Sequence, residues 1–341
     1  MKAPEFQLIG AHAVARVLHG RHEDVMELVA QTYRLHGDGR TTNPDSYFLR
    51  FPERPDARII ALPARIADED EVAGIKWIAS FPGNHEHGGL PRASAVVILN
   101  DMATGFPLAC IEGSAISANR TAASAALAAR LLHSDTAPDA VAVIGSGPIA
   151  RQVVEYLRQS GWRPGRFRVH DLVPARAEAF RDELGALGVN AEAVTTSAED
   201  AVRGAGLVVL ATTAAEPWLA DPGLLTPDQT VLNVSLRDLA VPVILAAQNV
   251  LDDVEHCMKA NTSPHLAEQA TGGRDFVAGT VSDLIEGRIA PDPTRPRIFS
   301  PFGLGVLDLA LARFIHHEAG RLGLAVAADD FFGLGTGASA P

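Results

Sequence analysis

The chain has 341 residues, 47% of them hydrophobic, and a formal net charge of -12 at pH 7. That length and apolar content suit two globular domains with sizeable cores, and the acidic balance argues against nucleic acid as a partner, because phosphates require a basic face. No apolar run reaches the roughly 18 to 20 residues of a membrane helix, and Met1-Lys2-Ala3-Pro4-Glu5-Phe6 lacks the apolar core of a secretory signal.

The only cysteines, Cys110 and Cys257, are far apart and have no CxxC companion. Neither a disulfide framework nor a zinc site is expected, and the cytoplasm is the expected compartment. Residues 1–121 mix a helical stretch at 25–35, a turn-rich segment at Asn43-Pro44-Asp45-Ser46, and strand-like runs at 58–62, 73–78 and 93–99. The mixture predicts an α+β domain. Alanine-rich residues 121–132 predict a closely packed helix.

From 122 to 305 the pattern changes. Short apolar runs at 141–144, 167–170, 207–211, 230–234 and 249–251 are bounded by turn or polar residues, with helical stretches at 151–157 and 175–187. This predicts an α/β domain of Rossmann type, a doubly wound parallel sheet with helices on both faces. An alanine- and leucine-rich helix at 306–322 is expected to return to the first domain, which then joins residues 1–121 with 306–341.

Directly after the run at 141–144 comes Gly145-Ser146-Gly147-Pro148-Ile149-Ala150, which fits G-x-G-x-x-G/A. Gly145 permits the tight turn, Gly147 lets a pyrophosphate approach the backbone, and Ala150 allows helix and strand to touch. The following helix N-terminus offers free N–H groups to phosphate. Asp171 closes the next strand, at the spacing of the acid that binds the adenosine ribose. A carboxylate there repels a 2′-phosphate, so NAD is the expected cofactor. Arg176 nearby is compatible with NADP, and Asp171 also reads simply as a strand end. Thr212 and Ser235, just past two strand runs, complete the expected cofactor contacts with Gly145, Ser146, Gly147, Pro148, Ile149 and Asp171.

Longer segments carry a resemblance. They are Lys76-Trp77-Ile78, Gly89-Leu90-Pro91-Arg92-Ala93-Ser94, Thr104-Gly105-Phe106-Pro107, Glu112-Gly113-Ser114, Ala118-Asn119-Arg120-Thr121-Ala122-Ala123, Asn233-Val234-Ser235-Leu236-Arg237-Asp238, Asp252-Asp253 and Phe299-Ser300-Pro301-Phe302-Gly303. In this order, with the glycine motif between, the chain resembles the ornithine cyclodeaminase/mu-crystallin family over nearly its whole length. It looks most like the branch that forms L-2,3-diaminopropionate from N-(2-amino-2-carboxyethyl)-L-glutamate for siderophores and peptide antibiotics.

The resemblance implies an NAD-dependent oxidation at the glutamate Cα–N bond. Imine hydrolysis then gives 2-oxoglutarate and L-2,3-diaminopropionate. Other family activities stand beside it: ornithine cyclodeamination, alanine dehydrogenation, ketimine reduction, or dinucleotide binding with little turnover. It also implies a substrate-binding first domain that forms a homodimer. Arg120 maps onto the family's carboxylate clamp, and Arg92 onto a polar substrate-contact position that also reads as a solvated surface arginine. Lys76 is placed near the substrate, where desolvation can lower its pKa for proton transfer; it also reads as a strand-edge lysine. Asp238 maps onto the catalytic aspartate, with a helix N-cap as the plainer reading. The ornithine-cyclising members' early Pro-x-Arg segment is replaced here by Asn43-Pro44-Asp45-Ser46-Tyr47, which points away from ornithine.

No metal site is expected. His85-Glu86-His87 lies in a glycine-rich loop without a third ligand nearby. His316-His317 reads as surface or interface and Cys257 as core. Asp252-Asp253 reads equally as a cofactor-pocket element or a strand-end turn.

Overall fold

The computed structural model describes residues 5–133, 137–159, 161–162, 164–194 and 196–333, with only the backbone of His85. It divides into two compact units, Met1–Arg120 with Leu304–Pro341, and Thr121–Gly303.

In chain order, β1 (Phe6–Ile9) leads to α1 (Ala11–Leu18) and α2 (His22–Gly37). Then come β2 (Thr41–Thr42), β3 (Tyr47–Phe51), β4 (Arg54–Ile66), β5 (Val72–Ser80), β6 (Ala93–Asp101), β7 (Pro107–Glu112) and α3 (Ser114–Leu132). The second unit contains β8 (Ala140–Ile144), α4 (Pro148–Gln159), β9 (Arg166–His170), α5 (Pro174–Ala186), β10 (Ala191–Ala193), α6 (Ala198–Val202), β11 (Leu207–Leu210) and β12 (Thr230–Asn233). It continues with α7 (Val241–Ala246), β13 (Gln248–Leu251), α8 (Val254–Cys257), α9 (Ser263–Thr271), β14 (Val277–Thr280), α10 (Val281–Ile285) and β15 (Arg297–Ser300). The chain then re-enters the first unit as α11 (Gly305–Arg321) and β16 (Val326–Ala328).

The first unit is a mixed sheet in the order β16-β1-β7-β6-β5-β4-β2, with β3 also on β4. Strand alternation sorts its side chains. Leu62, Ala64 and Ile66 of β4, Lys76 of β5, and Val97 and Leu99 of β6 lie on the buried face. α11 packs against β4, β5 and β6 and also meets α1 and α2. Its Val306, Leu307, Leu309, Ala310 and Leu311 are all buried, which is why this helix is apolar around most of its circumference.

The helix expected at 121–132 starts earlier, at Ser114. The Glu112 carboxylate accepts from the amides of Ser114 at 2.6 Å and Ala115 at 3.1 Å, satisfying donors that a helix start leaves unpaired.

The second unit holds an all-parallel sheet in the order β10-β9-β8-β11-β12-β15-β13-β14. β8, β11 and β12 are buried at every position, the signature of strands covered on both faces. α4 buries Ala150, Val153, Val154 and Leu157, a helical spacing that lays one stripe on the sheet. Among the described residues, no helix is long and apolar enough to cross a membrane.

Candidate functional site

In the second unit, the turn between β8 and α4 needs its first glycine. Gly145 has φ +97°, and a Cβ there would lie 2.6 Å from the Ala211 carbonyl oxygen. Gly145 N–H donates to the His170 carbonyl at 2.8 Å, and Ser146 N–H donates to Asp171 Oδ2 at 2.9 Å. Asp171 Oδ1 accepts from Val173 N–H at 2.9 Å, so this carboxylate links the tip of β9 to the glycine loop. Arg151 braces the loop from α4, donating from Nε to the Ser146 carbonyl at 3.2 Å, stacking over Phe180 and pairing with Glu183.

Two features of the loop fit a phosphate-bearing ligand. Ser146 Oγ is buried without a hydrogen-bond partner among the described residues, and a Cβ on Gly147 would meet nothing within 4 Å. A buried hydroxyl lacking a partner and an open stretch of backbone at the head of a 12-residue helix are what a pyrophosphate can fill. Pro148 opens that helix, where its missing N–H costs nothing, and Ile149 follows.

Thr212 and Ser235 lie just past β11 and β12, and Asp238 ties them together. Asp238 is completely buried. Its Oδ1 accepts from Thr212 Oγ1 at 2.5 Å and Trp218 Nε1 at 2.8 Å, and its Oδ2 accepts from Ser235 Oγ. The carboxylate is thus committed to three internal donors. These bonds tie the loops after β11 and β12 to each other. Asp252 also serves as a brace: its carboxylate accepts from the amides of Asp253 at 2.9 Å, Phe302 at 2.9 Å and Gly303 at 2.7 Å.

In the first unit, Lys76, Arg120 and Asp308 form a buried cluster. Lys76 Nζ donates to Asp308 Oδ2 at 2.5 Å, and Arg120 Nε donates to Asp308 Oδ1 at 3.0 Å. Lys76 is 2% exposed, Arg120 9% and Asp308 0%. Ser117 stands one turn before Arg120 on the same face of α3, and its Oγ is 3.4 Å from Lys76 Nζ. Burial pulls the Lys76 pKa down to about 8, Asp308 pushes it back up, and the Arg120 charge lowers it again.

The ornithine cyclodeaminase/mu-crystallin family model matches residues 11–321. The chain belongs to this family. It is 28% identical to N-((2S)-2-amino-2-carboxyethyl)-L-glutamate dehydrogenase of Staphylococcus aureus over 309 residues, 88% of this chain and 91% of that protein. Among solved structures, the Δ1-pyrroline-2-carboxylate reductase of Thermococcus litoralis with NADH and L-proline has a TM-score of 0.85 at 21% identity, covering 94% of this chain and 99% of that one. An archaeal alanine dehydrogenase dimer with bound NAD has a TM-score of 0.84 at 24% identity, covering 96% and 100%. These two structures establish the shared fold.

Within this family member, the sequence-derived candidates fall into separate groups. Lys76 and Arg120 share one carboxylate, and Gly145, Ser146 and Asp171 share one hydrogen-bonded loop. Arg92 belongs to neither. It is exposed at the turn before β6, five residues and roughly 17 Å along the strand from Val97, the ladder partner of Lys76. Asp308 was not a candidate, because a lone aspartate in an apolar helix carries no motif; its only sequence signal is a charge where the helix is otherwise buried. Among the described residues, no group of three or more His, Cys, Asp or Glu could hold a metal ion, and the His85 side chain lies outside them.

Proposed function

We propose that the chain is an NAD-dependent dehydrogenase of a carboxylate-rich secondary amine, N-(2-amino-2-carboxyethyl)-L-glutamate. The observation that carries this reading is the buried pair of cations, Lys76 and Arg120, sharing one aspartate in a chain similar along most of its length to an enzyme named for that substrate. Arg120 grips a substrate carboxylate through its guanidinium fork. Lys76 accepts a proton from the reacting nitrogen and returns one as water adds to the imine carbon. C–N cleavage then leaves 2-oxoglutarate and L-2,3-diaminopropionate.

The dinucleotide is held by the second unit. The Ser146 hydroxyl and the amides of Gly147 and Ile149, on the turn that Gly145 permits and with Pro148 starting the helix, take the pyrophosphate, and Asp171 takes the adenosine ribose. When bound, NAD supplies the hydride acceptor. Asp238 keeps Thr212 and Ser235 in place beside it. In this reading Asp238 is a positioning group, in keeping with its three internal bonds. Arg92, being exposed, is reserved for the outer part of a large acidic substrate.

We further propose a homodimer formed through the first unit. On the face of its sheet away from α11, ladder partners Tyr47, Ala61, Trp77 and Val96 form a row, with Tyr47 81%, Trp77 41% and Val96 37% exposed. Leu8, Leu49 and Val326 enlarge this apolar face, which a second copy would cover.

The test is NADH formation from NAD with the conjugate, L-ornithine and L-alanine in parallel. Net NADH with the conjugate alone is the expected result. Proline and ammonia from ornithine, or NADH from alanine alone, would reassign the substrate. Silence throughout, with NAD bound, would make the protein a dinucleotide-dependent binding protein.

A further inference from the structure

We infer that Asp308 is a positioning residue of the substrate site, holding Lys76 and Arg120 side by side and leaving one positive charge of the cluster for a substrate carboxylate. The inference rests on the reading of Lys76 and Arg120 as substrate-facing groups.

A buried ion pair that serves stability alone balances one cation with one anion, and an uncompensated buried charge is costly. Here two buried cations meet one carboxylate that is entirely inaccessible. The excess charge is a standing demand for an anion. Arg120 spends Nε on Asp308, and among the described residues nothing accepts from its Nη atoms. Those two parallel donors are the end of the guanidinium that matches a carboxylate. Asp308 thus fixes the side of the fork and leaves its tip unoccupied. The elements packed around Lys76 present Asp308 from α11 and Arg120 with Ser117 from α3, while the flanking strands place Leu62 and Val97 opposite it in register. Asp308 is the only anion facing the lysine among the described residues, and therefore the group that keeps its proton affinity near neutrality against burial and Arg120.

The chain contains just three lysines, Lys2, Lys76 and Lys259. Protein labelled with 13C-lysine therefore gives three Cε signals, and a Lys76→Met variant assigns the one that matters. The wild-type Lys76 signal is expected to titrate near pH 8. In Asp308→Asn its midpoint should fall by about one pH unit or more, and in Arg120→Gln it should rise. Asp308→Glu should restore much of the wild-type midpoint. Should Asp308→Asn fail to fold, Asp308→Ser, smaller and equally uncharged, is expected to lower the midpoint in the same way. A midpoint unmoved in the folded variants would overturn the inference.

A binding measurement accompanies this, with 2-oxoglutarate as the carboxylate probe. Weaker binding by about tenfold or more is expected for both Asp308→Asn and Arg120→Gln. Unchanged binding in the two variants would also overturn the inference. Neither readout depends on turnover. Titration shifts in a protein that forms no NADH from any amino acid would sink the functional reading and keep the role of Asp308. NADH formation with an unshifted lysine would do the reverse.

Discussion

Gly145 and Arg120 show how differently single residues reveal themselves. Gly145 was legible because its reason is local: a strand, a turn at positive φ and a helix N-terminus are contiguous in the chain. Gly145→Val would force a branched side chain into φ +97° with its Cβ against the Ala211 carbonyl. The backbone term alone costs about 1–2 kcal/mol, and the displaced loop should lose measurable NAD affinity in a calorimetric titration. Arg120 was legible through a motif, but its partner was not, since residues 76, 120 and 308 meet only after folding. Replacing Arg120 with Gln removes charged hydrogen bonds worth about 1.5–3 kcal/mol each, so KM for the substrate should rise roughly 10- to 100-fold, with NAD binding unchanged. Lys76 adds a pH dependence. In the proposed reaction its neutral form is the proton acceptor, and burial lowers its pKa to about 8. Oxidation should therefore accelerate as pH climbs through about 8 and level off above it, and Lys76→Met should abolish that rise in a stopped-flow pH series. At Asp238 the motif marks the position, while the three internal donors to its carboxylate come from residues 212, 218 and 235, which the fold brings together.

At the scale of elements, the parallel strands of the second unit were readable as short apolar runs because they are buried on both faces. β15 was not read. It lies between β12 and β13 in the sheet although it follows both in sequence, a placement that only the finished topology supplies. The start of α3 was misjudged for a similar reason: alanine content marks the helix interior, while its first turn is set by the Glu112 carboxylate. The outer face of the first sheet carries its own expected outcome. Trp77 sits within the exposed row formed by β3, β5 and β6, with a side chain opposite in sense to that of buried Lys76 next to it. Trp77→Glu should shift the sedimentation coefficient of the proposed dimer toward that of the monomer while the circular dichroism spectrum stays unchanged. A wild-type protein that sediments as a monomer at micromolar concentration would contradict the dimer.

Over the whole molecule, the sequence announced two kinds of domain through a change in hydrophobic period, from alternating runs to short apolar runs separated by helices. The two compact units consist of Met1–Arg120 with Leu304–Pro341, and of Thr121–Gly303. What the sequence could not show is which side chains from distant segments share a charge, and so which part of the chemistry each unit prepares. The central claim is that hydride leaves the glutamate α-carbon of the substrate for NAD. The direct measurement uses N-(2-amino-2-carboxyethyl)-L-glutamate bearing deuterium at that carbon, with mass spectrometry of the reduced dinucleotide and of 2-oxoglutarate. The expected result is one deuterium in each NADH formed, with 2-oxoglutarate in equal amount. NADH without deuterium, or deuterium recovered only in unreacted substrate and water, would contradict the account.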